Sequence, residues 1–152
     1  MFFGVGRSSL LAWILSPVPI AYDDHRVTRI RLSVVIASAL VALVVIVPWA
    51  DFQGHTHWDE VGWIPFVSWP VRNRDIVVNL LLCAPLGIAS ALYFRSHVLA
   101  AGLIAFGVSL FGEWLQVYSH SRFPSATDLL CNVAGAVAAA LVVRRRLQQG
   151  PP

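Results

Sequence analysis

Residues 98–118 read VLAAGLIAFGVSLFGEWLQVY, and Glu113 is the only charged side chain among them. Because a helix rises 1.5 Å per residue, this stretch is long enough to cross the hydrocarbon core of a bilayer, which is about 30 Å thick. Three further stretches, residues 32–49, 76–94 and 126–143, are comparably apolar. The sequence therefore predicts an all-α integral membrane protein, built as a four-helix transmembrane bundle.

The composition agrees with a bilayer as the solvent. Hydrophobic residues make up 57% of the chain and charged residues 12%, against roughly 25% charged in a typical soluble domain. All 11 basic residues are arginines, and they form no basic stripe, so we expect no nucleic-acid binding. Cys83 and Cys131 lie within apolar stretches, which is typical of buried free thiols and not of a disulfide framework.

The distribution of arginine predicts the orientation, because arginines near helix ends are retained on the cytoplasmic side. Eight of the eleven lie on one side of the predicted bundle: Arg7, Arg26, Arg29, Arg31, Arg95, Arg144, Arg145 and Arg146. The other side has Arg72, Arg74 and Arg122. We therefore expect both termini in the cytoplasm and both longer connections outside.

The chain divides into an N-terminal interfacial and cytoplasmic segment (residues 1–31), a membrane domain (32–146) and a cytoplasmic tail (147–152). Within the first 22 residues, apolar side chains recur at the i, i+3, i+4 and i+7 positions that are typical of a short interfacial helix, and Pro17 ends the pattern. The alternative, a cleaved signal peptide, is not favoured because no clear A-x-A cleavage site follows.

Two of the predicted helices begin with the same polar pattern, D-x-x-x-N. Asp75 and Asn79 open one helix, and Asp128 and Asn132 open another. The i, i+4 spacing places each pair on one helix face, and both helices start on the outer side. An ionisable side chain at the centre of a spanning helix costs about 2.5 to 3.5 kcal/mol on insertion scales, so such residues indicate function.

The stretch 98–118 adds a third set of polar residues near its outer end. Glu113 and Gln116 are three residues apart and share a face. The same face continues through the small residues Gly102, Ala105, Ser109 and Gly112, which allow a neighbouring helix to approach closely. We therefore expect Glu113 to point into the bundle. The residues expected at one outer cavity are Asp75, Asn79, Glu113, Gln116, Arg122, Asp128 and Asn132.

The first hypothesis for this cavity is a binding site for a polar headgroup at the membrane surface, either of an envelope lipid or of a lipid-linked cell-wall intermediate. Arg122, with Arg72, would hold an anionic oxygen through charge-assisted hydrogen bonds. The amides of Asn79, Gln116 and Asn132 would recognise sugar or amide groups. Membrane lipids are thus the expected partners.

The carboxylates Glu113, Asp75 and Asp128 extend this hypothesis to chemistry, either as acid and base or as oxygen ligands of Mg²⁺ or Ca²⁺. The sequence leaves open whether a reaction or a cation is involved. A second hypothesis is a small proton-coupled transporter, with Glu113 as proton carrier and a kink at Pro85 as hinge. A third is a non-catalytic helper subunit, whose polar cluster only holds the helices together.

The connection from Asp51 to Asp75 is rich in tryptophan, which favours the headgroup zone, so we expect it to lie along the outer surface. One interpretation of His55 and His57 in this connection is that they are metal ligands, together with Asp51, Asp59 and Glu60. Their spacing matches no closed tetrahedral pattern, and a solvated acidic loop is the favoured interpretation. We expect His120, in the next outer loop, to be an exposed histidine.

Three consecutive motifs carry most of these residues: RDIVVNLLLCAPLG at 74–87, GEWLQ at 112–116 and RFPSATDLLCNVAG at 122–135. In this order they resemble the motifs of the VanZ-like family of small bacterial membrane proteins, over about residues 72–141. Cys83 and Val133 depart from the family pattern, which has an aromatic residue and a threonine there.

The resemblance implies a multi-pass protein of the bacterial inner membrane. It also implies a link to the cell envelope, since the founding relative is associated with low-level resistance to the glycopeptide antibiotic teicoplanin. The family pattern falls on ten positions of this chain: Asp75, Asn79, Pro85, Gly87, Glu113, Gln116, Arg122, Asp128, Asn132 and Gly135. The resemblance supplies no mechanism.

Overall fold

The structure, a computed structural model, describes residues 25–49, 51–52, 54–68, 72–95 and 97–149. The predicted interfacial helix within residues 1–22 lies outside them. The α-helices of the described residues are α1 (His25–Ile46), α2 (Asn73–Leu82), α3 (Ala84–Tyr93), α4 (Val98–Gln116) and α5 (Ala126–Gln149), and a short 3₁₀ helix spans Trp58–Glu60.

Four segments of the described chain are long and apolar enough to cross a membrane: Thr28–Ile46, Asn73–Tyr93, Val98–Gln116 and Ala126–Gln149. Helices α2 and α3 together form the second of these spans. The prediction of an all-α protein with four transmembrane helices is therefore confirmed.

Helices α1 and α5 extend beyond the predicted bounds. Helix α1 begins at His25 instead of residue 32, and α5 continues to Gln149 instead of ending at residue 143. The α5 extension, RRRLQQ, consists of arginine, leucine and glutamine, and the α1 extension, HRVTRIR, contains three arginines; all three residue types are good helix formers. The three arginines near the end of α5 differ in exposure, because Arg144 is only 1% exposed while Arg145 and Arg146 are exposed.

The expected kink at Pro85 is confirmed as an interruption of the second span. Helix α2 ends at Leu82, and α3 begins at Ala84 with Pro85 in its first turn. The intervening Cys83 is fully buried and donates its backbone N–H to the carbonyl of Leu81. Proline is tolerated there because the first turn of a helix has no intrahelical partner for its N–H groups.

Helix α5 is the centre of the bundle, since it contacts α2, α3 and α4, while α1 packs against α3 and α4. Two glycines bring backbones together at these interfaces: a Cβ atom at Gly87 would overlap the backbone of Ala136, and one at Gly135 would overlap that of Leu80. The small-residue face of α4 is buried as predicted. Large apolar side chains cover the outside of the helices, as expected of surface that faces lipid.

We call the two ends of the bundle the loop end (residues 51–68 and 117–125) and the arginine end (the starts of α1 and α4, and the ends of α3 and α5). At the loop end, two isolated β-bridges, Phe52–Ser119 and Gly62–Ser125, join the two connections. The described part of the tryptophan-rich connection is therefore paired with the connection between α4 and α5.

Candidate functional site

A polar cavity of about 350 Å³ lies at the loop end of the bundle. Side chains of α2, of the end of α4 and of the start of α5 line it, together with part of the connection between α4 and α5. The lining residues are Asp75, Val78, Asn79, Gln116, Ser121, Arg122, Phe123 and Asp128. Five of the seven residues expected at the outer cavity thus come together in it.

The two helices that begin with D-x-x-x-N meet across this cavity. Asp75 and Asn79 of α2 face Asp128 of α5, and the Asn79 side chain lies close enough to the Asp128 carboxylate to interact with it. Asp128 is also close enough to Asp75 and Arg122 to interact electrostatically with both. At the rim, Asp75 lies 3.8 Å from the exposed Arg74 guanidinium. The cavity is thus lined by two carboxylates and one guanidinium, together with side-chain amides that can donate and accept hydrogen bonds.

The backbone around Ser119 holds Arg122 at the cavity. The buried Ser119 Oγ accepts the backbone N–H groups of Ser121 (3.2 Å) and Arg122 (3.3 Å), and its O–H lies 3.3 Å from Asp51 Oδ2. The Arg122 guanidinium donates to the Val45 carbonyl at 3.5 Å. The loop conformation therefore positions this cation beside the carboxylates.

Gln116 lines the cavity and also connects helices. Its Nε2 donates to the carbonyl of Ile46, the last residue of α1, at 3.0 Å. This carbonyl has no partner within its own helix, as is usual for the last turn, and Gln116 supplies one. One side of the amide is therefore used to attach α1.

Glu113 is buried, as predicted, but it is not among the residues that line the polar cavity. Its Oε2 accepts the backbone N–H of Ser125 at 2.8 Å, and Ser125 Oγ in turn accepts the N–H of Thr127. Ser125 thus acts as the N-cap of α5. Glu113 fixes where α5 starts, and hence where Asp128 lies. It remains near enough to Asp128 and Arg122 for their charges to act on it.

A separate apolar pocket of about 140 Å³ lies on the other side of Glu113. Its walls come from the tryptophan-rich connection and from the end of α4. They are Trp58, Val61, Trp63, Leu110, Trp114, Val117 and Pro124, with Glu113 among them. Glu113 therefore lines a different pocket from Asp75 and Asp128. In the described part of the chain, these three carboxylates do not form a group that could hold a metal ion.

Asn132 and Arg72 also lie outside the cavity lining. Asn132 is fully buried one turn below Asp128, and its Nδ2 donates to Ser109 Oγ of α4 at 2.8 Å. Arg72 is exposed at the residue before α2. The cavity instead includes Ser121, Phe123 and Val78, which sequence reasoning did not select. The S-H-S-R stretch next to Arg122 was the available signal for Ser121.

The Asn132–Ser109 hydrogen bond should stabilise the contact between α5 and α4. In a double-mutant cycle with Asn132→Ala and Ser109→Ala, we expect a coupling energy of about 0.6 kcal/mol, and at most about 1.7 kcal/mol, as found for hydrogen bonds between membrane helices. The measurement is reversible unfolding in mixed micelles. Additive effects of the two substitutions would contradict the bond.

Comparison with known proteins bears on the family. The model of the VanZ/LLP1 family matches residues 10–147, which include all five helices up to the last two residues of α5. No curated protein and no solved structure shows significant similarity to the chain. The family match covers most of the chain, including the polar cavity and its supporting residues, and the four described spans make it a multi-pass membrane protein. The chain therefore belongs to the VanZ/LLP1 family.

Proposed function

We propose that the polar cavity binds the headgroup of a cell-envelope lipid or of a lipid-linked cell-wall intermediate. The observation that carries the proposal is the cavity itself, about 350 Å³ and lined by charged and amide side chains at the end of membrane-spanning helices. Ionisable side chains within membrane-spanning segments are rare and indicate function. Three of those that line it, Asp75, Asp128 and Arg122, remain directed at a space large enough for a ligand.

The charges of the cavity favour one class of headgroup. Arg122 supplies a donor for one phosphate oxygen, whereas Asp75 and Asp128 accept hydrogen bonds from hydroxyl or ammonium groups. Two carboxylates against one guanidinium disfavour a ligand with several negative charges. A headgroup with one phosphate and neighbouring amine or sugar hydroxyl groups therefore fits best. Arg72 is not part of this binding set, since it does not line the cavity.

The proposal concerns binding and does not include a reaction. Glu113, the residue that the sequence favoured as acid or base, does not line the cavity, and its Oε2 accepts the backbone N–H of Ser125. With the arginine end in the cytoplasm, as the arginine distribution predicts, the cavity opens at the outer surface of the bacterial inner membrane. A headgroup bound there would belong to the outer leaflet, and the teicoplanin link that the family resemblance implies is consistent with a ligand of the cell envelope.

Lipid binding by the purified protein tests the proposal. We expect the protein to bind short-chain phosphatidylethanolamine in a detergent titration, and Arg122→Ala to weaken this binding by about 10-fold or more, because a hydrogen bond to a charged group contributes about 1.5–3 kcal/mol. Arg72→Ala removes the same charge from the same end of the bundle and should leave the affinity unchanged. Equal losses in both variants would contradict a site in the cavity.

A helper-subunit function has one observation in its favour. Glu113, Gln116 and Asn132 each form a hydrogen bond to a different element, so part of the polar cluster does hold the bundle together. If the cavity residues serve the same purpose, Arg122→Ala and Asp128→Ala should lower the amount of protein in the membrane. If they bind a ligand, both variants should accumulate normally and bind lipid weakly.

A further inference from the structure

Three histidines from two separate connections meet at the loop end. The ring centroids of His55, His57 and His120 lie 4.3 to 4.9 Å apart. Each offers one ring nitrogen, and these three nitrogens all lie within 4.8 Å of one another. Among the described residues, these three histidines are the group of at least three His, Cys, Asp or Glu side chains that lie close enough together to hold a metal ion. None of the three lines the polar cavity.

The backbone explains why the three side chains meet. The N–H of His57 donates to the carbonyl of Val117 at 2.9 Å. Phe52 forms a β-bridge with Ser119, the residue before His120. Two connections that are far apart in sequence are thereby held side by side. The first contains His55 and His57, and the second contains His120. The cluster is therefore part of the loop-end structure and not a chance approach of long, free side chains.

The two ring nitrogens of His57 have different surroundings. Its Nδ1 lies 3.9 Å from the Glu60 carboxylate, and its Nε2 is buried without a hydrogen-bond partner in the described structure. Histidines that bind metals commonly present one ring nitrogen to the ion while a carboxylate orients the ring through the other. Glu60 lies beside the Nδ1 of His57 and would have to move closer to orient the ring in this way.

We propose that His55, His57 and His120 bind a transition-metal ion of the zinc type. Imidazole nitrogens suit Zn²⁺ and its neighbours in the transition series, whereas Mg²⁺ and Ca²⁺ prefer oxygen ligands. Zn–N bonds of about 2.0–2.1 Å place tetrahedral nitrogens about 3.3 Å apart, so the three nitrogens must draw closer. His55 and His120 are exposed and can rotate to do so. Three protein ligands leave the fourth position of the ion for water or another small ligand.

Calorimetric titration of the full chain in detergent with ZnCl₂, after removal of any purification tag, tests this proposal. We expect one zinc ion per chain. His55→Ala and His120→Ala should each weaken binding by more than about 100-fold, because loss of a ligand exceeds the 10–100-fold loss that follows removal of a second-shell partner. Glu60→Ala should fall within that smaller range. MgCl₂ should give no comparable binding.

His97 provides the matched control, since it lies at the opposite end of α4, next to Val98. His97→Ala should bind zinc as the unmodified chain does. His55 and His120 are exposed, so their substitution should leave the helical content and the elution volume unchanged. Absence of zinc binding by the unmodified chain would overturn the proposal, and so would a zinc affinity of the His55→Ala and His120→Ala variants equal to that of the unmodified chain.

Discussion

Gly135→Ala is expected to lower the free energy of unfolding by about 3 kcal/mol or more, at the upper end of the range for overpacked interiors. A Cβ atom at this position would overlap the carbonyl of Leu80 on α2. A backbone carbonyl cannot rotate away as a side chain can, so α5 and α2 would have to separate. Because α2 supplies Asp75 and Asn79, the separation would also widen the polar cavity. Unfolding in mixed micelles measures the effect.

Gly107 of α4 is the matched control for Gly135. It is also a helical glycine, but a Cβ atom there would have nothing within 4 Å. Gly107→Ala should leave stability unchanged or raise it by up to about 1 kcal/mol, since alanine is the better helix former. If Gly135→Ala were as stable as Gly107→Ala, the close approach of α2 and α5 would not be required by the fold.

Val78→Trp is expected to abolish lipid binding, with a loss of about 100-fold or more, because the indole would occupy space that the headgroup needs. Val78 lines the polar cavity without contributing a polar group. The substitution therefore tests the cavity as a space, independently of its charges. Titration with short-chain phosphatidylethanolamine gives the affinity.

Val77 provides the matched control for Val78. It precedes Val78 on α2, and the two are 52% and 50% exposed, but Val77 does not line the cavity. Val77→Trp should bind lipid normally, and both variants should fold, since tryptophan is well accommodated near a membrane interface. Unchanged binding by Val78→Trp would place the lipid outside this cavity.

The parts of the fold and site that follow a helical period were predictable from sequence. The small residues of α4 recur at helical spacing, and this spacing correctly identified the buried face. The D-x-x-x-N pattern placed Asp75 and Asn79 on one face of α2, and both line the cavity. Local rules sufficed in these cases because a helix fixes the relative directions of its own side chains.

The different surroundings of Glu113 and Gln116 could not be predicted in the same way. Residues three apart on a helix point about 60° away from each other, so one face is wide enough to serve two environments. The rotation of α4 within the bundle directs Gln116 to the polar cavity and Glu113 to the start of α5. Packing against other helices sets that rotation, and no local pattern reports it.

The histidine cluster was missed for a different reason. In the sequence, His55 and His57 lie nearest to Asp51, Asp59 and Glu60, whereas the third member, His120, comes from the next connection at this end. Their meeting depends on backbone pairing between irregular segments, such as the bond from His57 to Val117. Such pairing has no period, and hydrophobic spacing therefore does not indicate it.

The pairing of the two connections also bears on how the protein is made. Gly62 donates its N–H to the carbonyl of Pro124 and accepts the N–H of Ala126, so this part of the tryptophan-rich connection pairs with residues at the start of α5. A nascent chain that ends before α5 therefore lacks these two bonds. The loop end acquires its structure as the last transmembrane segment arrives, and the polar cavity forms only in a fully inserted chain.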